Sequence, residues 1–190
     1  TSLLGEVMTK VGLPKGAYNV VQGRGSITGN LLTAHQDIDA LTFTGETKTG
    51  ETIMKACSNG VRDISLELGG KNPAIIFEDC DMDKAIFETA RSVFANSGQV
   101  CLGTERVYVQ RPIFDEFVSR LKDAGSKLKV GVHNDESVDM GPVVSAAHRD
   151  KVLEFYDIAK KEGANVILGG GAPKMEGNLK DGFWVEPTIW

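Results

Sequence analysis

Residues 74–95, AIIFEDCDMDKAIFETARSVFA, join a short apolar run to a helical repeat, and RVYV follows at residues 106–109. The run at residues 74–77 predicts a strand. Asp81 is a suitable N-cap, and the residues after it keep a helical apolar spacing, which predicts a helix over residues 81–95. The whole stretch therefore predicts a strand–helix–strand unit.

The same alternation continues in both directions along the chain. Further helices are predicted at residues 3–11, 26–35, 46–57, 113–128 and 146–161, with Ser26 as the N-cap of the second. Further strands are predicted at residues 17–22, 40–44, 64–68, 165–168 and 183–190. Alternating strands and helices favour an α/β fold with a largely parallel sheet. Gly69 and Gly70 then suggest a domain boundary between residues 1–69 and 70–190.

Composition excludes several classes of protein. The chain has 190 residues, of which 41% are hydrophobic and 25% charged, as in soluble globular proteins. Its net charge of −5 argues against a nucleic-acid partner. The longest unbroken apolar run has four residues, so no segment is expected to span a membrane. The first 30 residues hold no apolar stretch of signal-peptide length.

The chain has three cysteines, Cys57, Cys80 and Cys101. An odd number this small is not a disulfide framework and favours reduced thiols in the cytoplasm. No two cysteines are spaced as C-x-x-C, and the histidines lie far apart along the chain, at His35, His133 and His148. No metal site is therefore expected.

Two glycine-rich stretches each follow a predicted strand and open a predicted helix. In the first, GRGSITG at residues 23–29, the third glycine comes one residue late for the dinucleotide pattern G-x-G-x-x-G. A tight turn that needs glycine dihedrals is at least as good an explanation. The second, GETKTG at residues 45–50, imitates a P-loop but has Glu51 at the lysine position, which disfavours a nucleoside triphosphate. Its helix N-terminus could hold a pyrophosphate, although an ordinary turn explains it equally well.

A carboxylate and a thiol are the candidates for catalysis. Glu67 lies at the end of a predicted strand, where ligands collect in α/β sheets, and could act as a general base. Spacing alone favours a glutamate that faces water or pairs with Lys71. Cys101 lies on a predicted loop between Gly98 and Gly103, where a thiolate could be exposed and stabilised by backbone N–H groups. The alternative of a small buried side chain fits Cys57, in a helix, and Cys80, among acidic residues, better.

Three segments in order resemble the aldehyde dehydrogenase superfamily: FTGETKTG at residues 43–50, LELGGKNP at 66–73 and SGQVCLGTERVYV at 97–109. The last two are similar to that family's active-site signatures, and Glu67 and Cys101 stand 34 residues apart, as the signatures do. The likeness extends to GFWVEPTIW at the end of the chain. Within the family it is strongest to the semialdehyde dehydrogenases of aromatic-ring catabolism, the 2-hydroxymuconic and 2-aminomuconic types.

The resemblance implies a tail of a Rossmann-like NAD-binding domain in residues 1–69 and most of an α/β catalytic domain in residues 70–190. It implies that Cys101 attacks the aldehyde and is converted to a thioester while NAD takes the hydride, and that Glu67 activates water to release the acid. By the same resemblance, the cofactor contacts are Gly45, Glu46, Thr47, Gly50 and Leu68, and the aldehyde pocket includes Val100 and Leu102. The family usually has a small hydroxyl residue at the position of Glu46.

The resemblance also implies a cytoplasmic enzyme that acts on a small aldehyde, belongs to a homo-oligomer (a dimer or a tetramer) and has no nucleic-acid or membrane partner. Family chains are much longer, so this chain is expected to be an internal fragment that is inactive alone. Two alternatives stay open. One is another aldehyde dehydrogenase, for example of the betaine aldehyde or succinic semialdehyde type. The other is a catalytically silent relative, which would need neither Glu67 nor Cys101.

Overall fold

The computed structural model describes residues 2–132 and 134–190, which form two compact units. The first unit (Thr1–Leu68) contains helices α1 (Ser2–Lys10), α2 (Asn30–Ala34) and α3 (Thr47–Cys57) and strands β1 (Ala40–Gly45) and β2 (Asp63–Leu68). The second unit (Gly69–Trp190) contains strands β3 (Asn72–Ile76) and β4 (Thr104–Val109) and helices α4 (Met82–Phe94), α5 (Phe114–Ser126) and α6 (Ala146–Lys161). Helices and parallel strands alternate, so the fold class is α/β.

A strand–helix–strand repeat organises the first unit. Strands β1 and β2 are parallel and paired from Ala40 with Asp63 to Gly45 with Leu68, and α3 joins them. Parallel strands need such a crossover because a tight hairpin turn cannot reverse the chain direction twice. Helix α3 packs against both strands and buries Ile53. The carboxyl ends of both strands therefore lie side by side at one edge of the sheet.

A second repeat, β3–α4–β4, forms the centre of the second unit. Phe117 of α5 is 1% exposed and packs with Ile86 of α4 and Leu121 of α5, while apolar side chains of both strands pack against this cluster. Asp81 caps α4, because its carboxylate accepts a hydrogen bond from the backbone N–H of Lys84 at 3.1 Å. This is the cap that the sequence predicts, and it fixes where α4 begins.

Nine of the predicted elements are confirmed. The helix at residues 146–161 has the predicted limits, and the remaining eight agree within two residues at each end: helices 3–11, 46–57, 81–95 and 113–128, and strands 40–44, 64–68, 74–77 and 106–109. Both strand pairs are parallel, as predicted.

Three predicted strands are wrong, because their backbone groups bond elsewhere. In residues 17–22, the N–H of Ala17 donates to Pro14 and closes a local turn. Residues 165–168 and 183–190 share one antiparallel bridge, between Leu168 and Ile189. The rest of residues 183–190 bonds to separate segments, since Glu186 N donates to Gly171 O while Phe183 O accepts from Val143 N. No single neighbouring strand runs alongside these segments, so no ladder forms.

The predicted cap at Ser26 is also wrong. Ser26 lies inside a π-helical turn, Gly25–Gly29, that precedes α2 and has no side-chain cap. None of the glycines at 23, 25 and 29 has a positive φ, so the glycine dihedrals predicted for this turn are absent as well. Gly23 is instead required by close packing, because a Cβ there would lie 1.8 Å from Thr28 Oγ1.

Across residues 2–132 and 134–190, none of the helices combines the length and the apolar character needed to traverse a lipid bilayer.

Candidate active site

Cys101 lies on a loop with an unusual backbone between α4 and β4. After Phe94 the chain enters a short turn in which Asn96, Ser97 and Gly98 all have left-handed φ values, of 49°, 57° and 76°. For Ser97 this conformation costs about 1–3 kcal/mol, and it persists only where neighbouring groups enforce it. Such residues cluster at functional sites, and here they come directly before an exposed cysteine.

Long-range hydrogen bonds hold the start of this loop. The hydroxyl of Ser97 donates to the carbonyl of Gly141 at 2.7 Å, and the side-chain oxygen of Gln99 accepts from the N–H of Val144 at 3.0 Å. The side-chain amides of Asn96 and Gln99 also donate to each other's backbone carbonyls, both at 3.1 Å. These bonds supply the external enforcement that the left-handed turn requires.

The end of the loop is a tight turn. The N–H of Gly103 donates to the carbonyl of Val100 at 3.0 Å, which places Cys101 and Leu102 at the tip. A Cβ on Gly103 would lie 3.1 Å from Val100 O and 3.3 Å from Ser92 O, so a larger residue would crowd the turn. Gly98 bends the backbone before Cys101 through its positive φ, whereas Gly103 is needed for the close approach after it.

The three cysteines differ in accessibility. Cys57 is 2% exposed in α3, Cys80 is half-buried and Cys101 is exposed. The prediction that Cys57 is a buried side chain is confirmed. A thiol must reach its substrate to act as a nucleophile, so accessibility favours Cys101 among the three.

Val100 and Leu102, the predicted pocket residues, share a cavity of about 290 Å³ beside this loop. Ala95 and side chains of α4 complete it, among them Glu88 and Arg91, which form an ion pair at 3.1 Å. Leu102 is 83% exposed, so its side chain is available to an apolar ligand.

The remaining predicted site residues lie in the first unit, at the carboxyl edge of its sheet. Thr44 is in register with Glu67, and Gly45 is in register with Leu68. Adjacent strands are about 4.8 Å apart, so this pairing brings Gly45, Glu67 and Leu68 together. Glu67 is exposed on β2. This edge thus offers an accessible carboxylate next to a strand-to-helix turn.

Helix α3 begins at this turn. Glu46 is its N-cap residue with an extended backbone and makes no side-chain cap, and Thr47 is the first helical residue. The first N–H groups of a helix have no partner within the helix and attract anions. Gly50 is buried one turn further on, and a Cβ there would lie 2.7 Å from Leu68 Cδ2. Glycine at this position therefore lets α3 approach the end of β2 closely.

We expect Gly50→Ala to destabilise the fold when residue 68 is leucine and to stabilise it when residue 68 is alanine. Overpacking costs about 1–3 kcal/mol, while alanine favours a helix over glycine by up to about 1 kcal/mol. Gly50→Ala should therefore lower the thermal unfolding midpoint in the wild-type background and raise it when Leu68 is replaced by alanine. Gly5 in α1 is the matched control, because an added Cβ there would lie 3.5 Å from Val20 Cγ2, an ordinary van der Waals contact. An equal effect in both Leu68 backgrounds would contradict this packing.

Within the described residues, no group of three or more His, Cys, Asp and Glu side chains is arranged to hold a metal ion. His133, one of the histidines considered above, lies outside the described residues.

The sequence interpretation missed the residues that shape the loop around Cys101. Ser97 and Gln99 belong to the SGQVC segment itself, so the motif contained the signal, but their partners at Gly141 and Val144 lie more than 40 residues away. Asn72 directly follows the LELGGK segment and also contacts this loop. Local patterns do not reveal such distant pairings.

Comparison with known proteins identifies the family. The family model "Aldehyde dehydrogenase family" matches residues 1–190. The 2-hydroxymuconic semialdehyde dehydrogenase of Pseudomonas sp. (strain CF600) is 58% identical over 100% of this chain and 39% of its own length. The 2-aminomuconic 6-semialdehyde dehydrogenase of Pseudomonas sp. is 50% identical over 99% of this chain and 38% of its own length. The chain thus spans about two fifths of these relatives.

Solved structures agree with this assignment. Betaine aldehyde dehydrogenase from Staphylococcus aureus, crystallised in complex with NAD+, matches with a TM-score of 0.94 and 42% sequence identity. The match covers 98% of this chain and 37% of that one. A family model that matches every residue, together with relatives at 50% identity or more, is decisive. The chain belongs to the aldehyde dehydrogenase family.

Proposed function

We propose that the protein to which this chain belongs oxidises an aldehyde to a carboxylic acid, with Cys101 as the nucleophile. The observation that carries the proposal is the placement of Cys101, an exposed thiol at the tip of a loop held in a costly left-handed conformation. Membership of the aldehyde dehydrogenase family supports the same reaction class. A thiol that only packed in the protein interior would need neither solvent exposure nor the left-handed backbone that precedes Cys101.

In the proposed reaction, the thiolate of Cys101 adds to the aldehyde carbon and forms a thiohemiacetal. The backbone N–H of Cys101 stabilises the negative charge that develops on the former carbonyl oxygen. Loss of a hydride from the same carbon then leaves a thioester on Cys101. The loop stays preorganised through these steps because Ser97 and Gln99 tie it to distant backbone.

Glu67 is the proposed general base for the second half of the reaction. Its carboxylate takes a proton from water, and the resulting hydroxide attacks the thioester carbon. The carboxylic acid leaves and the thiolate of Cys101 is regenerated. Exposure of Glu67 at the end of β2 supports this role, because the base needs access to water.

The turn between β1 and α3 fits a dinucleotide. The N-terminus of α3 has no side-chain cap, and the first N–H groups of a helix attract anions such as a pyrophosphate. Gly45, Glu46, Thr47, Gly50 and Leu68 would hold NAD, with the pyrophosphate at the helix N-terminus. When bound, NAD accepts the hydride. On this proposal, residues 1–69 are part of an NAD-binding domain and residues 70–190 part of the catalytic domain.

The proposed substrate is a semialdehyde of the 2-hydroxymuconic type, a chain with an aldehyde at one end and a carboxylate at the other. The names of the most similar relatives support this class. Val100 and Leu102 flank Cys101 in the chain and would contact the carbon chain next to the aldehyde. The chemistry needs a reduced thiol, which supports a cytoplasmic location.

A substrate panel on the complete gene product tests the proposal. We expect NADH formation with 2-hydroxymuconic semialdehyde at a kcat/KM at least about tenfold above that for betaine aldehyde, because a semialdehyde-specific site rejects a cationic substrate. Comparison of kcat/KM for 2-hydroxymuconic and 2-aminomuconic semialdehyde shows which of these two substrates the enzyme prefers. Equal rates for all aldehydes would contradict the substrate class, and no NADH with any of them would contradict the reaction.

A further inference from the structure

Asn72 lies near the start of the second unit and contacts the loop that carries Cys101. It is the first residue of β3 and is in register with Thr104, the first residue of β4. The register then shifts, because Pro73 pairs with Arg106 and leaves Glu105 as an extra residue on β4. Such a bulge redirects side chains locally and is frequent next to active sites.

Both hydrogens of the Asn72 side-chain amide are used on the loop. Its Nδ2 donates to the carbonyl of Cys101 at 2.8 Å and to the carbonyl of Gly103 at 2.8 Å. An NH₂ group has two hydrogens, so each carbonyl receives one of them. These two carbonyls flank Leu102, and fixing both sets the orientation of the peptide groups at the tip of the turn.

The backbone that presents Asn72 is itself fixed. Its N–H donates to the carboxylate of Glu105 at 2.6 Å. The guanidinium of Arg106 donates twice to the carbonyl of Lys71, at 3.0 Å and 2.7 Å. All three bonds involve a charged group and are therefore of the stronger kind. Glu105 and Arg106 of β4 thus fix the backbone around Asn72. The side-chain amide of Asn72 in turn fixes the loop that carries Cys101.

The tip of the loop depends on the amide of Asn72 for its attachment to β3. Its other attachments, at Ser97 and Gln99, all precede Cys101 in the chain. Beyond Cys101, the turn bond from Gly103 to Val100 fixes the loop's shape, and the amide of Asn72 ties the tip to β3. Removing the amide would leave the carbonyl of Cys101 without this partner and free the tip to rotate.

We propose that Asn72 is a positioning residue for the nucleophile, whose side-chain amide orients the backbone of Cys101 for attack on the aldehyde. The inference rests on the proposed function, because it needs Cys101 to be the nucleophile. Asn72 touches neither substrate nor cofactor on this account and acts through the loop. Its loss should therefore slow the chemical step and leave cofactor binding unchanged.

Asn72→Ala in the complete gene product tests the proposal, because it removes both donors and keeps the backbone N–H that bonds Glu105. We expect kcat to fall about 10- to 100-fold, since misplacement by about 1 Å costs that much, with KM for NAD unchanged. Alkylation of Cys101 by iodoacetamide should slow at least about threefold, because the tip of the turn no longer holds the thiol in one orientation. Asn72→Asp, isosteric but without donors, should behave in the same way. Asn165→Ala, at an exposed asparagine of the same unit, is the matched control.

Thermal unfolding and circular dichroism separate positioning from folding. A folded Asn72→Ala protein with kcat and Cys101 alkylation within about twofold of the wild type would overturn the proposal, as would loss of folded protein in both variants. The Cys101→Ser variant distinguishes failure of the positioning role of Asn72 from failure of the proposed function. If Cys101→Ser is inactive and Asn72→Ala is normal, only the positioning role fails; if Cys101→Ser is fully active, the proposed function fails with it.

Discussion

Replacing Cys101 by serine is expected to reduce steady-state aldehyde oxidation at least about 10³-fold, since removal of a covalent nucleophile costs this much or more in other enzymes. A thiol is partly ionised near neutral pH, whereas a serine hydroxyl needs a strong base beside it. The measurement is NADH formation by the complete gene product under saturating semialdehyde and NAD. The substitution changes one atom on an exposed turn, so the fold should be unaffected.

Cys80→Ser is the matched control, because Cys80 is half-buried and lies outside the Cys101 loop. Its activity should stay within about twofold of the wild type, as for substitutions away from reacting atoms. Iodoacetamide should label Cys101 faster than Cys57, which is almost fully buried. A Cys101→Ser protein that keeps a tenth or more of the activity would rule out this nucleophile.

Glu67→Gln is expected to slow turnover about 10²- to 10⁴-fold, the usual range for loss of a general base. The first turnover should survive, because addition of the thiol and loss of the hydride come before hydrolysis. Rapid mixing with semialdehyde and NAD should therefore give a burst of NADH near one equivalent per active site, followed by a slow steady state. Glutamine keeps the shape of glutamate, so the register of β2 with β1 should be kept.

Glu6→Gln provides the control, because Glu6 is exposed on α1. It should behave like the wild type in both phases. Loss of the burst together with the steady state would place Glu67 before hydride loss, and an unchanged steady state would exclude it as the base. The burst amplitude thus shows whether Glu67 acts before hydride loss or in the later hydrolysis.

Local signals predicted the elements that frame the candidate site. Helix α4 follows from Asp81 and the apolar spacing after it, and both are local properties of the chain. The parallel pairing of β1 with β2 follows from the helix between them, and it brings the turn at Gly45 next to Glu67. The loop position of Cys101 follows from the ends of α4 and β4.

The rest depends on contacts between distant parts of the chain. Asn96 and Gly98 are residue types that accept left-handed backbone, but Ser97 is not, and its bond to Gly141 spans 44 residues. The hydrogen bonds that the side-chain amide of Asn72 donates span 29 and 31 residues. Residues 183–190 are rich in apolar side chains, yet their backbone bonds reach several segments. A local pattern indicates which secondary structure a segment can form, but not which distant segment it bonds to.

Mass spectrometry of the trapped intermediate tests the central claim most directly. The Glu67→Gln protein would be mixed with semialdehyde and NAD, quenched in acid and digested with trypsin. The peptide of residues 92–106 holds Cys101 and no other cysteine. We expect this peptide to gain the mass of the aldehyde less two hydrogen atoms, as a thioester requires. An unmodified peptide at a time when NADH has formed, or an adduct on Cys57 or Cys80 instead, would contradict it.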